Sequence, residues 1–109
     1  MNLAADQLLS LSGLRAAVRP VCETHPVARL EVFGSRADGT ARSDSDVDLL
    51  VEFLPGANPG LFEMGALQEA LEQQLGCRVD LLSRRAVEKS LNPFRRRAIL
   101  EHPVALYAR

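Results

Sequence analysis

Asp46 and Asp48 stand one residue apart at the head of the apolar run Val47-Asp48-Leu49-Leu50-Val51. In an extended strand alternate side chains share a face, so this spacing predicts that the two carboxylates point the same way. Like charges held so close repel, and a cation between them removes the repulsion. Magnesium suits such a pair. It prefers hard oxygen ligands and often takes one or two carboxylates together with the phosphates of a substrate. Upstream, Gly34-Ser35-Arg36 directly follows another apolar stretch that ends at Phe33. A turn there can present backbone N–H groups to a phosphate. The pattern points to metal-assisted chemistry on a phosphorylated substrate.

The elements that would position these groups can be read from periodicity. Leu8, Leu11, Leu14, Val18 and Val21 recur at helical spacing and predict an amphipathic first helix, stopped at His25-Pro26. Ala28 to Phe33 alternates Leu30 and Val32 with Arg29 and Glu31, a strand pattern. Gly34 ends it, and Ser35 is placed to open a short helix. Val47 to Phe53 is the second strand, with Leu50 making its second face apolar as well, as in a central strand. Pro55 to Gly60 is a loop by composition. Leu61, Met64, Leu67, Leu71 and Leu75 mark a long helix closed by Gly76. Cys77 to Ser83 is a third strand, and Asn92-Pro93 opens a last helix that ends near His102-Pro103. The order predicts one α/β domain over residues 1–109, a small mixed sheet of three or four strands with helices mainly on one face.

On this third strand lies Asp80, flanked by Val79 and Leu81. A half-buried carboxylate in so short an apolar strand is costly without a partner. Two-metal phosphoryl transfer benefits from a third acidic group, so Asp80 is a candidate to join Asp46 and Asp48.

Composition narrows the class. A chain of 109 residues buries roughly 65% of its unfolded surface, enough for one core. The net charge of −1 gives no global attraction to nucleic acid, so no nucleic-acid substrate is expected. No basic segment leads into an apolar core at the start, and no apolar run reaches membrane length, which predicts a cytoplasmic protein. Cys22 and Cys77 lack metal-type spacing and read as small reduced residues. His25 and His102 each adjoin a proline and read as capping or surface residues. Arg84-Arg85 reads as a surface pair at the start of a helix, and Arg95-Arg96-Arg97 as a solvated helix face.

Taken together, Gly34-Ser35, then Asp46-x-Asp48, then the distant Asp80 resemble the minimal nucleotidyltransferases of the DNA polymerase β superfamily. The resemblance runs on through Leu61-Phe62-Glu63, Gly76 to Leu81 and the C-terminal Val104 to Tyr107. It implies the polymerase β-like nucleotidyltransferase fold. It also implies Asp46, Asp48 and Asp80 as catalytic ligands of two magnesium ions, with Gly34, Ser35 and Arg36 on the triphosphate of ATP. The implied reaction moves a nucleoside monophosphate to a hydroxyl. Larger relatives append domains that hold the acceptor, and this chain has room for none, so the acceptor is expected to be a protein that docks onto it. Within the family, the resemblance implies the antitoxin of a two-gene pair, which adenylylates a HEPN-type RNase toxin on a tyrosine. Two alternatives remain at this level. One is a non-catalytic antitoxin that neutralises its partner by occlusion. The other is a small-molecule transferase that needs a homodimer to complete its acceptor pocket.

Overall fold

The computed structural model describes residues 10–34, 37, 46–57 and 59–109, the side chain of Ala98 excepted. Ser35, Arg36 and the expected short helix after Ser35 lie outside the described residues, apart from Ala37, which is helical and donates its N–H to the Gly34 carbonyl at 3.0 Å. Among the described residues there are four strands, β1 (Val27–Phe33), β2 (Val47–Phe53), β3 (Val79–Ser83) and β4 (Val104–Ala108). There are four helices, α1 (Leu11–Glu23), α2 (Leu61–Leu75), α3 (Arg84–Glu88) and α4 (Pro93–Leu100). They build one mixed sheet in the order β3-β2-β1-β4, in which β2 and β3 run parallel and the other pairs antiparallel.

Strand alternation divides the apolar residues between two faces. Leu30 and Val32 of β1, Val47, Leu49 and Val51 of β2, and Val79 and Leu81 of β3 enter the main core with α1 and α2. Burying one such side chain stabilises the fold by about 1.5–3 kcal/mol. α1 contributes Leu14, Ala17, Val18, Val21 and Cys22, and α2 contributes Leu67, Leu71 and Leu75. On the opposite face a smaller cluster of Leu50, Val87 and Ile99 forms, with Phe33, Leu82 and Leu100 packed against it. The two long helices therefore share one face, and the short α3 and α4 cover part of the other. β2 is buried on both sides at Leu49-Leu50-Val51, as three consecutive apolar residues in a strand demand.

Helix ends are set by local chemistry. Ser10 accepts from the Gly13 N–H at 3.3 Å to start α1. At its end Thr24 Oγ1 donates to the Pro20 and Val21 carbonyls, and His25 Nδ1 lies 2.8 Å from the Val21 carbonyl. His25 is thus the capping residue its position suggests. Gly76 closes α2 in the left-handed conformation, φ 74°, which a side chain would resist. Asn92 Oδ1 accepts from the N–H groups of Phe94 and Arg95, with Pro93 in the first turn of α4.

Two expectations need correction, for Leu61 and Arg84, and two elements add detail that the sequence pattern does not show. Leu61 is exposed at the start of α2, so the buried stripe of that helix begins with the half-buried Met64. α4 stops at Leu100, ahead of His102-Pro103, and β4 follows, an edge strand with five residues too few to mark against the preceding helix. α3 is a single capped turn in which Ser83 Oγ accepts from the Ala86 N–H at 3.0 Å, too short to carry periodicity. Arg84 is not a surface residue: it turns inward to Glu31 and Glu52.

Burial pushes the Cys22 thiol up to about 12, against the opposing pull of the Arg109 guanidinium, so it stays protonated and unreactive. Among the described residues no helix is long and apolar enough to cross a membrane.

Candidate active site

Parallel pairing of β2 with β3 sets Asp48 directly beside Asp80. Antiparallel pairing of β1 with β2 sets Phe33 opposite Asp48, which brings Gly34, the next residue, to the same end of the sheet. The start of β2 is fastened to the approach of β3 by the Val47 N–H, which donates to the Arg78 carbonyl at 3.0 Å. Asp48 and Asp80 alternate with core residues on either side, so they project from the face that bears Leu50 and Leu82. Asp48 is half-buried and Asp80 exposed. Asp46 is exposed and precedes the first residue of β2, so strict alternation reaches Asp48 but not Asp46.

Gly34 is required here for two reasons. Its φ is 72°, in the left-handed region, and a Cβ on it would collide with Oδ2 of Asp48. The turn after β1 therefore presses its bare backbone against the carboxylate. Gly34→Ala forces one of the two to move. We expect it to cost about 1–2 kcal/mol of stability. With Asp48 in the role expected of it from the sequence, group transfer should fall at least tenfold. Urea denaturation paired with a transfer assay checks this, and wild-type transfer by the variant would make the close approach incidental.

The donor chemistry fits magnesium: carboxylate oxygens on adjacent strands, one of them seated against a glycine turn. Among the described residues, however, no three His, Cys, Asp or Glu side chains gather closely enough to hold a metal ion. The structure thus pairs Asp48 with Asp80 and Gly34 without drawing Asp46 and both partners into one cluster. Ser35 and Arg36 lie outside the described residues.

Two features escape sequence reasoning. Glu31, in the middle of β1, is only 4% exposed. Its carboxylate pairs with Arg84 and lies 3.4 Å from Arg29 Nε, and Arg84 Nε reaches Glu52 at 3.6 Å. Alternation assigns Glu31 to the non-core face, and nothing in the sequence announces that α3 and Arg84 will cover it. The second is a cavity of about 550 Å³ between the ends of β2 and β3, the 54–59 loop and Arg85, at the far end of the strands from the aspartates. It belongs to a different part of the molecule.

Comparison with known proteins supports the same reading. Residues 14–106 match the nucleotidyltransferase domain family. The protein adenylyltransferase MntA of Thermococcus cleftensis is 39% identical over 80 residues, covering 73% of this chain and 79% of that protein. A solved structure assigned as a minimal nucleotidyltransferase is 40% identical, covers 95% of each chain and superposes with a TM-score of 0.67. A toxin–antitoxin crystallised with AMP-PNP shares the fold at 18% identity and a TM-score of 0.68, over 87% of this chain and 73% of that one. With the match running from α1 through β4, across the glycine turn and the paired aspartates, the chain belongs to the nucleotidyltransferase domain family and is an enzyme of that class.

Proposed function

We propose that this enzyme transfers AMP from ATP to a hydroxyl of a docked partner protein, as the antitoxin of a pair whose toxin is a HEPN-type RNase. The observation that carries the chemistry is the register of Asp48 beside Asp80 on parallel strands, with Gly34 against Asp48. What supports the acceptor class is the name of the Thermococcus cleftensis relative, a protein adenylyltransferase, and the toxin–antitoxin with AMP-PNP that shares the fold.

Asp46, Asp48 and Asp80 would hold magnesium, and the turn at Gly34, Ser35 and Arg36 would receive the triphosphate. Magnesium held there would supply charge neutralisation at the phosphates and a lowered pKa for the attacking hydroxyl. In the reaction, the acceptor oxygen bonds to the α-phosphorus and the bond to the bridging oxygen of the leaving group breaks. Pyrophosphate departs with the electron pair, and the hydroxyl proton passes to a carboxylate or to water. The chain's part is positioning and charge stabilisation, with attack and departure in line.

Labelled ATP, magnesium and the protein encoded by the adjacent gene test the reading directly: label should move to that protein. Label transfer that survives Asp46→Ala together with Asp48→Ala would sink it. Nucleotide binding has its own signature. Mg-ATP at a hundredfold excess over Kd should stabilise the fold by about 2.7 kcal/mol. That raises the melting temperature by roughly 10 °C in a domain of this size. Magnesium or ATP alone should give much less, because each leaves the other's charge uncompensated. The absence of any shift with Mg-ATP would count against a triphosphate site.

A further inference from the structure

Charge is unevenly spread along this chain. Residues 84–97 hold six of its thirteen lysines and arginines and one of its fourteen acidic residues, a net +5 against −6 for the remainder. These residues form α3, the connecting turn and the start of α4. Arg84 is engaged by Glu31 and Glu52, but Arg85, Lys89, Arg95, Arg96 and Arg97 are exposed and pair with no acidic group among the described residues. Within this basic surface Leu91 is 99% exposed and Phe94 85%. Between α3 and α4 opens a notch of about 170 Å³, lined by Leu82, Ala86, Val87, Ser90, Arg95 and Ile99. Leu91 directly follows Ser90, and Phe94 directly precedes Arg95, so the exposed apolar side chains flank the notch along the chain.

We propose that the α3–α4 surface docks the acceptor protein, through a matching face that is acidic around an apolar anchor. This rests on the adenylyltransferase reading and supplies the missing acceptor site. An anchor side chain in the notch, ringed by charged contacts, is the usual anatomy of a protein interface: apolar centre, polar rim. Charge complementarity selects an acidic occupant and adds a long-range attraction. The location also serves the chemistry. Both short helices lie on the face of the sheet from which Asp48 and Asp80 project, so the docking surface and the carboxylates share one face. A second copy of the chain is a poor occupant, since twofold pairing of this face sets basic surface on basic surface. Nucleic acid fits less well, because Leu91 and the apolar notch offer nothing to a phosphate backbone.

The test uses the full chain and the protein encoded by the adjacent gene. Binding is measured by calorimetry at two salt concentrations, and AMP transfer at limiting acceptor. Leu91→Ser with Phe94→Ser should weaken binding at least tenfold and reduce transfer in proportion, with the Mg-ATP melting shift unchanged. Arg95→Glu, Arg96→Glu and Arg97→Glu together should weaken binding as strongly at low salt and less at high salt. Wild-type binding by both surface variants would overturn the docking proposal while transfer kept the enzymatic reading intact. Binding that depends on this surface, without any transfer by the wild type, would support docking and overturn that reading. No complex with the wild-type chain overturns both. Self-association of the chain, or tight binding of a 20-nucleotide RNA, that is lost with the same surface variants would also overturn the proposal.

Discussion

Asp48→Asn is expected to lower AMP transfer by on the order of a thousandfold, about 4 kcal/mol of transition-state stabilisation. The substitution keeps size and shape and removes only the charge. Asp48 is half-buried, in register with Asp80 on the neighbouring strand and close to the Gly34 turn, and the proposed reaction assigns its carboxylate a part in nucleotide binding as well as transfer. It should therefore weaken nucleotide binding as well as transfer. Asp80→Asn should separate the two. Asp80 is exposed on β3, away from the glycine turn, and is assigned only to activation of the acceptor. Transfer should be lost while nucleotide affinity is largely kept. Neither variant should unfold the domain, and Asp80→Asn removes the like charge registered beside Asp48, so its melting temperature without ligand should equal or exceed the wild-type value. Paired nucleotide titration and transfer assays decide the matter. If Asp80→Asn transfers at the wild-type rate, its role as third carboxylate is wrong.

Much of this site is legible in the sequence because it rests on local rules. Period-two alternation in β2 and β3 tells which residues share a face, and the Gly34 turn ends β1 where an apolar run ends. What alternation cannot give is register. That Asp48 meets Asp80, and not a neighbour two residues away, depends on the crossover through α2 and on the packing of Leu67, Leu71 and Leu75 against the sheet. Family resemblance filled that gap, and the pairing now stands on geometry. Asp46 shows the limit of the rule: it precedes β2, so its direction is set by the chain leading into the strand and not by the pleat. β4 is not legible in the sequence for a related reason. Its five residues follow closely on the last helix without a clear polar–apolar alternation, and it is held in place by antiparallel pairing with β1.

Glu31 and Arg84 illustrate a long-range effect with a large energetic consequence. Read locally, Glu31 is the polar half of an alternating strand and Arg84 a helix-start surface residue. In the fold they are separated by 53 residues in sequence and joined in a half-buried ion pair. Arg84→Ala is expected to destabilise the protein by about 2–3 kcal/mol, because it leaves the Glu31 carboxylate buried with Arg29 as its remaining cation. Complete loss of partners to a buried charge costs about 3–5 kcal/mol, and the surviving Arg29 contact places the effect below that range. Glu31→Gln should cost less, since an amide tolerates burial better than an unpaired carboxylate. Replacing both residues by methionine should recover most of the loss, because a buried ion pair often adds little over an apolar pair of similar volume. Urea unfolding of Arg84→Ala, Glu31→Gln and the two together forms a cycle that isolates the coupling. A stability change under 0.5 kcal/mol for Arg84→Ala would show that solvent reaches Glu31 freely, at odds with its burial. Transfer activity should follow stability and no more, since neither residue lies at the end of the sheet that carries Asp48 and Asp80. A thousandfold loss of transfer in a still-folded Arg84→Ala variant would instead extend the active site across β1 to α3.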